Sequence, residues 1–130
     1  MKKYLVIGNP IEHSLSPKLH NYWFEKNNID ANYDRRKIDK SEIQEIINEI
    51  KDNKLDGINV TVPFKTDVIP FLDTLSEEAQ ITQSVNTIYM HDKKLVGHNT
   101  DIKGFELSLK DTEFDLNNKS IFILGAGGVV

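Results

Sequence analysis

The chain has 130 residues, 38% of them hydrophobic and 28% charged, which suits one domain able to bury a sizeable core. Sixteen Lys and Arg against twenty Asp and Glu give a net charge of -4, with no long run of one sign, so nucleic acid and anionic membrane are excluded as partners. There is no cysteine, which excludes disulfides and thiolate metal sites. Met1-Lys2-Lys3 is followed by only four apolar residues, so no signal peptide is visible, and a cytoplasmic protein is expected. The longest stretch free of polar side chains, Ile121 to Val130, is too short to span a bilayer.

In chain order, Tyr4-Leu5-Val6-Ile7 reads as a buried strand ending at Gly8-Asn9-Pro10. Ser16-Pro17 reads as a helix start, with Ser16 as N-cap and Pro17 at the first helical position. Leu19, Tyr22, Trp23 and Phe24 crowd one side of that helix, and Trp23 is expected in the core. Ile43, Ile46, Ile47 and Ile50 follow the i, i+3, i+4, i+7 spacing of an amphipathic helix over residues 41 to 52. Gly57 to Val62 reads as a strand halted by Pro63, which lacks the ladder donor.

Residues 65 to 83 read as two short helices, since Pro70 opposes a continuous one, and Ser76 with Glu77 and Glu78 marks the second start. Val85 to Met90 and Leu95 to Gly97 flank His91-Asp92-Lys93-Lys94 as a hairpin. Thr100 to Asp111 reads as a helix, and Ser120 to Leu124 as a last strand. This alternation predicts an α/β layered domain: a mostly parallel sheet with flanking helices, plus a stub of a Rossmann domain.

In such sheets ligands sit outside the carboxyl ends of the strands. Three polar segments fall there: Asn9 to Ser16, Asn59 to Lys65, and Asn99 to Asp101. Ser14 and Ser16 near a helix start suit a carboxylate, although a cap explains Ser16 equally well. Asn59 and Thr61 alternate with Ile58, Val60 and Val62, so one strand face offers an amide and a hydroxyl. Lys65 alone would be a solvated lysine, and Asp101 alone a first-turn carboxylate favoured by the helix dipole. Together they form a plausible proton donor and acceptor for a hydroxyl, the carboxylate holding the ammonium. His13, His20, His91 and His98 show no ligand spacing, so no metal is expected. Gly125-Ala126-Gly127-Gly128 after Ile121 to Leu124 has the composition of a turn that brings backbone close to a pyrophosphate.

Taken in order, Ser14-Leu15-Ser16-Pro17, Asn59-Val60-Thr61-Val62-Pro63-Phe64-Lys65, Val85-Asn86-Thr87, Gly97-His98-Asn99-Thr100-Asp101 and Gly125-Ala126-Gly127-Gly128 resemble the N-terminal half of shikimate dehydrogenase. The resemblance implies a shikimate-binding domain over residues 1–117 and a truncated NADP-binding domain over 118–130. It implies that Ser14 and Ser16 hold the shikimate carboxylate and that Asn59, Thr61, Asn86 and Asp101 bind ring hydroxyls. Lys65 would be the catalytic acid/base, paired with Asp101, in the NADPH-dependent reduction of 3-dehydroshikimate on the way to chorismate and the aromatic amino acids. Gly125, Ala126, Gly127, Gly128 and Val129 would begin the NADP site, with Glu77 as a further cofactor-edge candidate. Ser84 departs mildly from an alanine common in the family. The 130-residue chain is then expected to lack dehydrogenase activity alone, since hydride transfer needs the cofactor held against the substrate. Alternatives left open are a quinate/shikimate relative and a non-catalytic shikimate-binding module. An exposed Ile121 to Leu124 strand would invite pairing with a second copy.

Overall fold

The computed structural model describes residues 1–125. Its strands are β1 (Lys2–Gly8), β2 (Ala31–Lys37), β3 (Gly57–Val60), β4 (Thr74–Leu75), β5 (Thr87–His91) and β6 (Lys94–His98). The helices are α1 (Ser16–Lys26), α2 (Ile43–Lys51), α3 (Glu77–Thr82) and α4 (Asp101–Asp111). The strands form one sheet in the order β2-β1-β3-β5-β6-β4. β2 and β3 lie parallel to β1, β4 lies parallel to β6, and β5 alone runs against its neighbours. The mostly parallel layered sheet expected from the sequence is therefore present, with the β5–β6 hairpin as its antiparallel insert.

One sheet face carries the main core. Leu5, Ile7, Ile58, Val60, Ile88 and Leu95 point to this side and meet Ile43, Ile46, Ile47 and Ile50 of α2. All four isoleucines of α2 are buried, as their spacing requires, and each stabilises the fold by about 2 kcal/mol through lost contact with water. The opposite face holds a smaller cluster, Val6, Ile11 and Tyr33, with Tyr4 and Phe24 against it. There α1 lies over β1 and β2.

Several local expectations are corrected. α1 starts at Ser16 itself with Leu15 as a cap lacking a side-chain bond, so Ser16 is not the N-cap. Ser14 Oγ instead accepts from the Ser16 amide at 3.3 Å, because Leu15 is already in a helical conformation. Trp23 is not in the core: it is about half exposed, as are Leu19 and Tyr22. The side of α1 turned to the sheet runs through Ser16, Pro17, His20, Asn21 and Phe24, and it is largely polar. β3 stops at Val60 rather than Val62. The stretch from residue 65 to 76 holds a 3-10 turn, Ile69–Phe71, where a short helix was expected.

Residues 120–125 form no strand, and Ile121, Phe122, Ile123 and Leu124 are 66–86% exposed. Apolar β-formers make a strand only where a neighbouring ladder takes their backbone groups, and among the described residues none does. β2 escaped the sequence pattern because Ala31–Lys37 carries four charged residues and buries Tyr33 alone, the composition of a protected edge strand.

Candidate functional site

Topology brings the polar segments to one end of the sheet. The carboxyl ends of β1, β3 and β6 and the amino end of β5 lie side by side there, as the pairings Ile7 with Val60, Asn59 with Thr87, and Thr87 with His98 show. The loops that leave β1 and β3 are tied together: the Thr61 amide donates to the Ile7 carbonyl at 3.0 Å and the Asn9 amide to the Val62 carbonyl at 3.0 Å.

Lys65 is placed by its neighbours in sequence. Phe64 and Val68, four apart, are buried in the main core, and the Lys65 carbonyl accepts from the Val85 amide at 2.8 Å. The backbone is thus anchored on both sides, and the Lys65 side chain is left 11% exposed. Asp101, the first residue of α4, is placed by Asn99. The Asn99 carboxamide, only 2% exposed, accepts from the Asp101 amide at 2.8 Å and donates to the Ser84 carbonyl at 2.9 Å. The outcome is a direct ion pair, Lys65 Nζ to Asp101 Oδ2 at 2.7 Å, with the carboxylate 29% exposed. An ammonium carries three donors and the pair uses one, so Lys65 keeps the capacity to meet a ligand oxygen while its charge stays balanced.

Asn86 joins this pair to the rest. Its Nδ2 donates to Thr100 Oγ1 at 2.8 Å, and its Oδ1 accepts from the Thr100 amide at 3.1 Å, one residue before Asp101. Asn59 Nδ2 donates to the Asn86 carbonyl at 3.1 Å and to Thr87 Oγ1 at 3.0 Å, while its Oδ1 accepts from the Tyr33 hydroxyl at 2.6 Å. Thr87 Oγ1 in turn donates to Asn86 Oδ1 at 2.9 Å. A continuous polar chain therefore runs from Tyr33 through Asn59 and Asn86 to Thr100, the residue before Asp101. The His20 ring stacks on Tyr33 at 4.1 Å between centroids and rests through Nδ1 on the Ser16 carbonyl at 2.9 Å, so Tyr33 lies close to the start of α1.

Ser14, Ser16 and Thr61 share a cavity of about 250 Å³ with Val6, Pro10, Ile11 and His13. It opens beside the first turn of α1, whose positive dipole end favours an anion. A second, larger cavity of about 720 Å³ lies on the same sheet face and is lined by His20, Tyr33, Asn59 and Thr87 among others. Burial pushes the Tyr33 phenol well above the ordinary tyrosine range, the nearby Ser16 side chain opposing it only in part; it is a neutral donor at any physiological pH. Glu77 sits exposed in the first turn of α3, behind the Ser76 cap. Gly125 is exposed with φ of 110°, a region that glycine alone enters readily. Ala126, Gly127, Gly128 and Val129 lie outside the described residues.

Residues 6–88 match the family model for the shikimate dehydrogenase substrate binding domain. The chain belongs to the shikimate dehydrogenase family. It is 61% identical over 129 residues to the shikimate dehydrogenase (NADP(+)) of Pelagibacter ubique, a match covering 99% of this chain and 49% of that relative. The crystal structure of shikimate dehydrogenase 1 from Peptoclostridium difficile superposes with a TM-score of 0.93 at 36% identity, covering 99% of this chain and 48% of that one. The Thermus thermophilus enzyme, solved in complex with shikimate, gives a TM-score of 0.91 at 32% identity, with 99% and 49% covered. The chain thus spans about half the length of these shikimate dehydrogenases.

Reasoning from sequence missed three members of the site. Tyr33 sits on the overlooked edge strand and gave no signal. Asn99 and Thr100 were within the quoted Gly97 to Asp101 segment without a role, although Asn two residues before a first-turn Asp is an N-terminal capping pattern. Among the described residues, no three His, Asp or Glu side chains converge as a metal site would need.

Proposed function

We propose that this chain is the substrate-binding half of an NADP-dependent shikimate dehydrogenase that reduces 3-dehydroshikimate to shikimate. The observation that carries it is the 2.7 Å Lys65–Asp101 pair, set at the carboxyl edge of the sheet beside the polar chain of Tyr33, Asn59, Asn86 and Thr100. In this arrangement Ser14 and Ser16 take the carboxylate beside the start of α1. Thr61, Asn59, Asn86 and Asp101 meet the ring hydroxyls. The Lys65 ammonium gives a proton to the substrate oxygen as the carbonyl is reduced, and in the reverse direction the neutral amine takes it back; Asp101 keeps the lysine aimed.

Residues 1–117 form the substrate domain, and 118–130 begin the cofactor domain. The left-handed backbone of Gly125 fits a turn that lets a pyrophosphate approach, so Gly125, Ala126, Gly127, Gly128 and Val129 would hold NADP there, with Glu77 at its edge. The cofactor, when bound, supplies the hydride. A cytoplasmic location goes with a reductase of small soluble acids, and among the described residues no helix is long and apolar enough to cross a membrane. The exposed Ile121 to Leu124 side chains support a second copy as a partner, which light scattering tests.

Calorimetric titration of the chain with shikimate tests the substrate assignment. Saturable heat at millimolar ligand, lost when Ser14 and Ser16 are both changed to Ala, is the expected result. A flat titration with the unaltered chain overturns it.

A further inference from the structure

The proposed ligand contacts do not include Tyr33, yet it is buried and tightly held beside them. It is 4% exposed, and α1 fixes both its backbone and its ring. Asn21 of α1 clamps its backbone, Nδ2 donating to the Tyr33 carbonyl at 2.7 Å and Oδ1 accepting from the Tyr33 amide at 2.9 Å. The His20 ring stacks on the phenol at 4.1 Å between centroids and 10° between planes. His20 is itself held through its Nδ1 on the Ser16 carbonyl at 2.9 Å. Ring and backbone are pinned, so the hydroxyl has one place to be.

A donor count then fixes the orientation of Asn59. The Asn86 carbonyl can only accept, so the Asn59 atom 3.1 Å from it is the amide nitrogen. The Asn59 atom 2.6 Å from the Tyr33 hydroxyl is therefore the oxygen, and Tyr33 must spend its single proton there. Both hydrogens of the Asn59 amide are committed, to the Asn86 carbonyl and to Thr87 Oγ1. What Asn59 can still offer is the second lone pair of its oxygen. The Tyr33 oxygen, having donated, keeps only acceptor capacity.

We propose that Tyr33 is a positioning residue that locks the Asn59 carboxamide as a hydrogen-bond acceptor, so that a ligand hydroxyl meets Asn59 as the donor. This rests on the shikimate-site assignment above and assigns one substrate hydroxyl its direction of hydrogen bonding. Burial keeps the phenol protonated, so the lock holds through the neutral and mildly alkaline range.

The test is a double-mutant cycle on shikimate affinity in the 130-residue chain, using Tyr33→Phe, Asn59→Ala and the pair, with urea midpoints measured alongside. Tyr33→Phe keeps the stacked ring and removes only the hydroxyl. It should weaken shikimate roughly tenfold, and it should weaken it no further in the Asn59→Ala background. An equal loss in both backgrounds overturns the proposal, as does affinity within about twofold of the unaltered chain. A second measurement needs no variant. In the unaltered chain the Tyr33 hydroxyl proton should be a slowly exchanging NMR resonance with a cross-peak to the Asn59 side chain, and shikimate should shift both. A hydroxyl proton lost to fast exchange overturns the lock. Failure of the unaltered chain to bind shikimate overturns the site assignment together with this inference, whereas equal binding by the unaltered chain and the Tyr33→Phe variant overturns this inference alone.

Discussion

Asn99 is where stability and the candidate site meet, and Asn99→Ala separates the two contributions. No residue of α4 is buried, so its hold on the domain comes through its first turn. Asn99 shares that hold with the Lys65–Asp101 pair and the Asn86–Thr100 bonds: it accepts from the amides of Asp101 and Ile102 at 2.8 and 3.4 Å and donates to the Ser84 carbonyl at 2.9 Å and to Thr82 Oγ1 at 3.4 Å. Losing the cap costs about 1 kcal/mol, and depriving the buried Ser84 carbonyl of the Asn99 amide costs about 1–2 kcal/mol more. Asn99→Ala is therefore expected to lose about 2–3 kcal/mol from a domain whose total is on the order of 5–15 kcal/mol. In urea, with a slope of about 1–3 kcal/mol per molar, the midpoint should fall by about 1 M or more. Asn99→Asp keeps the acceptor and loses the donor, so amide exchange at Asp101 and Ile102 should stay near that of the unaltered chain while the global midpoint still drops. Shikimate affinity should fall in Asn99→Ala beyond what unfolding explains, because Asp101 is no longer aimed at Lys65. A midpoint within about 0.2 M of the unaltered chain in Asn99→Ala would refute the account of how α4 is held.

The glycines of the sheet offer a matched pair. A Cβ on Gly8 would meet Thr61 Cγ2 at 2.6 Å and the Val62 carbonyl at 3.1 Å, whereas one on Gly97 would meet Leu72 Cδ1 and, at 2.9 Å, Leu75 Cδ2. Both Ala substitutions should cost about 1–3 kcal/mol in urea denaturation, but only Gly8→Ala, which pushes on Thr61, should also weaken shikimate in calorimetry. Gly104 lies inside α4 with nothing within 4 Å of the added carbon, so Gly104→Ala should stabilise the helix by about 1 kcal/mol, read as slower amide exchange there. In an enzyme carrying both halves, Lys65→Met should cut turnover about 100-fold or more with a much smaller change in shikimate affinity; undiminished turnover would remove Lys65 from the chemistry. The raised Tyr33 proton affinity gives a pH dependence. The folded state keeps this proton when the unfolded chain sheds it, so stability is full below pH about 10 and falls as pH rises above it. The fall should be shallower in Tyr33→Phe, and identical alkaline slopes would contradict it.

What was legible in the sequence follows from how much each signal depended on distant contacts. The isoleucine spacing of α2 and the hairpin around residues 91–94 are local patterns, and both were found where expected. The chemistry-bearing segments were legible because strand ends gather at one sheet edge whatever the details of packing. β2 was not, since its stability comes from pairing with β1 along its whole length rather than from its own charged side chains. The same dependence explains the opposite error at Ile121 to Leu124, where apolar composition suggested a strand that has no ladder among the described residues. Trp23 misled because aromatic bulk outweighed the polar stripe of His20 and Asn21, whose ring stacking on Tyr33 and hydrogen bonds to the Tyr33 backbone turn that side of α1 to the sheet. Tyr33 lay beyond reach altogether: its importance arises from contacts across 12 and 26 residues of sequence.

The most direct measurement is a crystal structure of the chain with shikimate soaked in. The carboxylate should lie on the Ser14 and Ser16 hydroxyls beside the start of α1, with a ring hydroxyl within hydrogen-bond reach of both Lys65 Nζ and Asp101. Shikimate bound away from the Lys65–Asp101 pair, or bound with its carboxylate on Lys65 and its hydroxyls on the serines, would contradict the account.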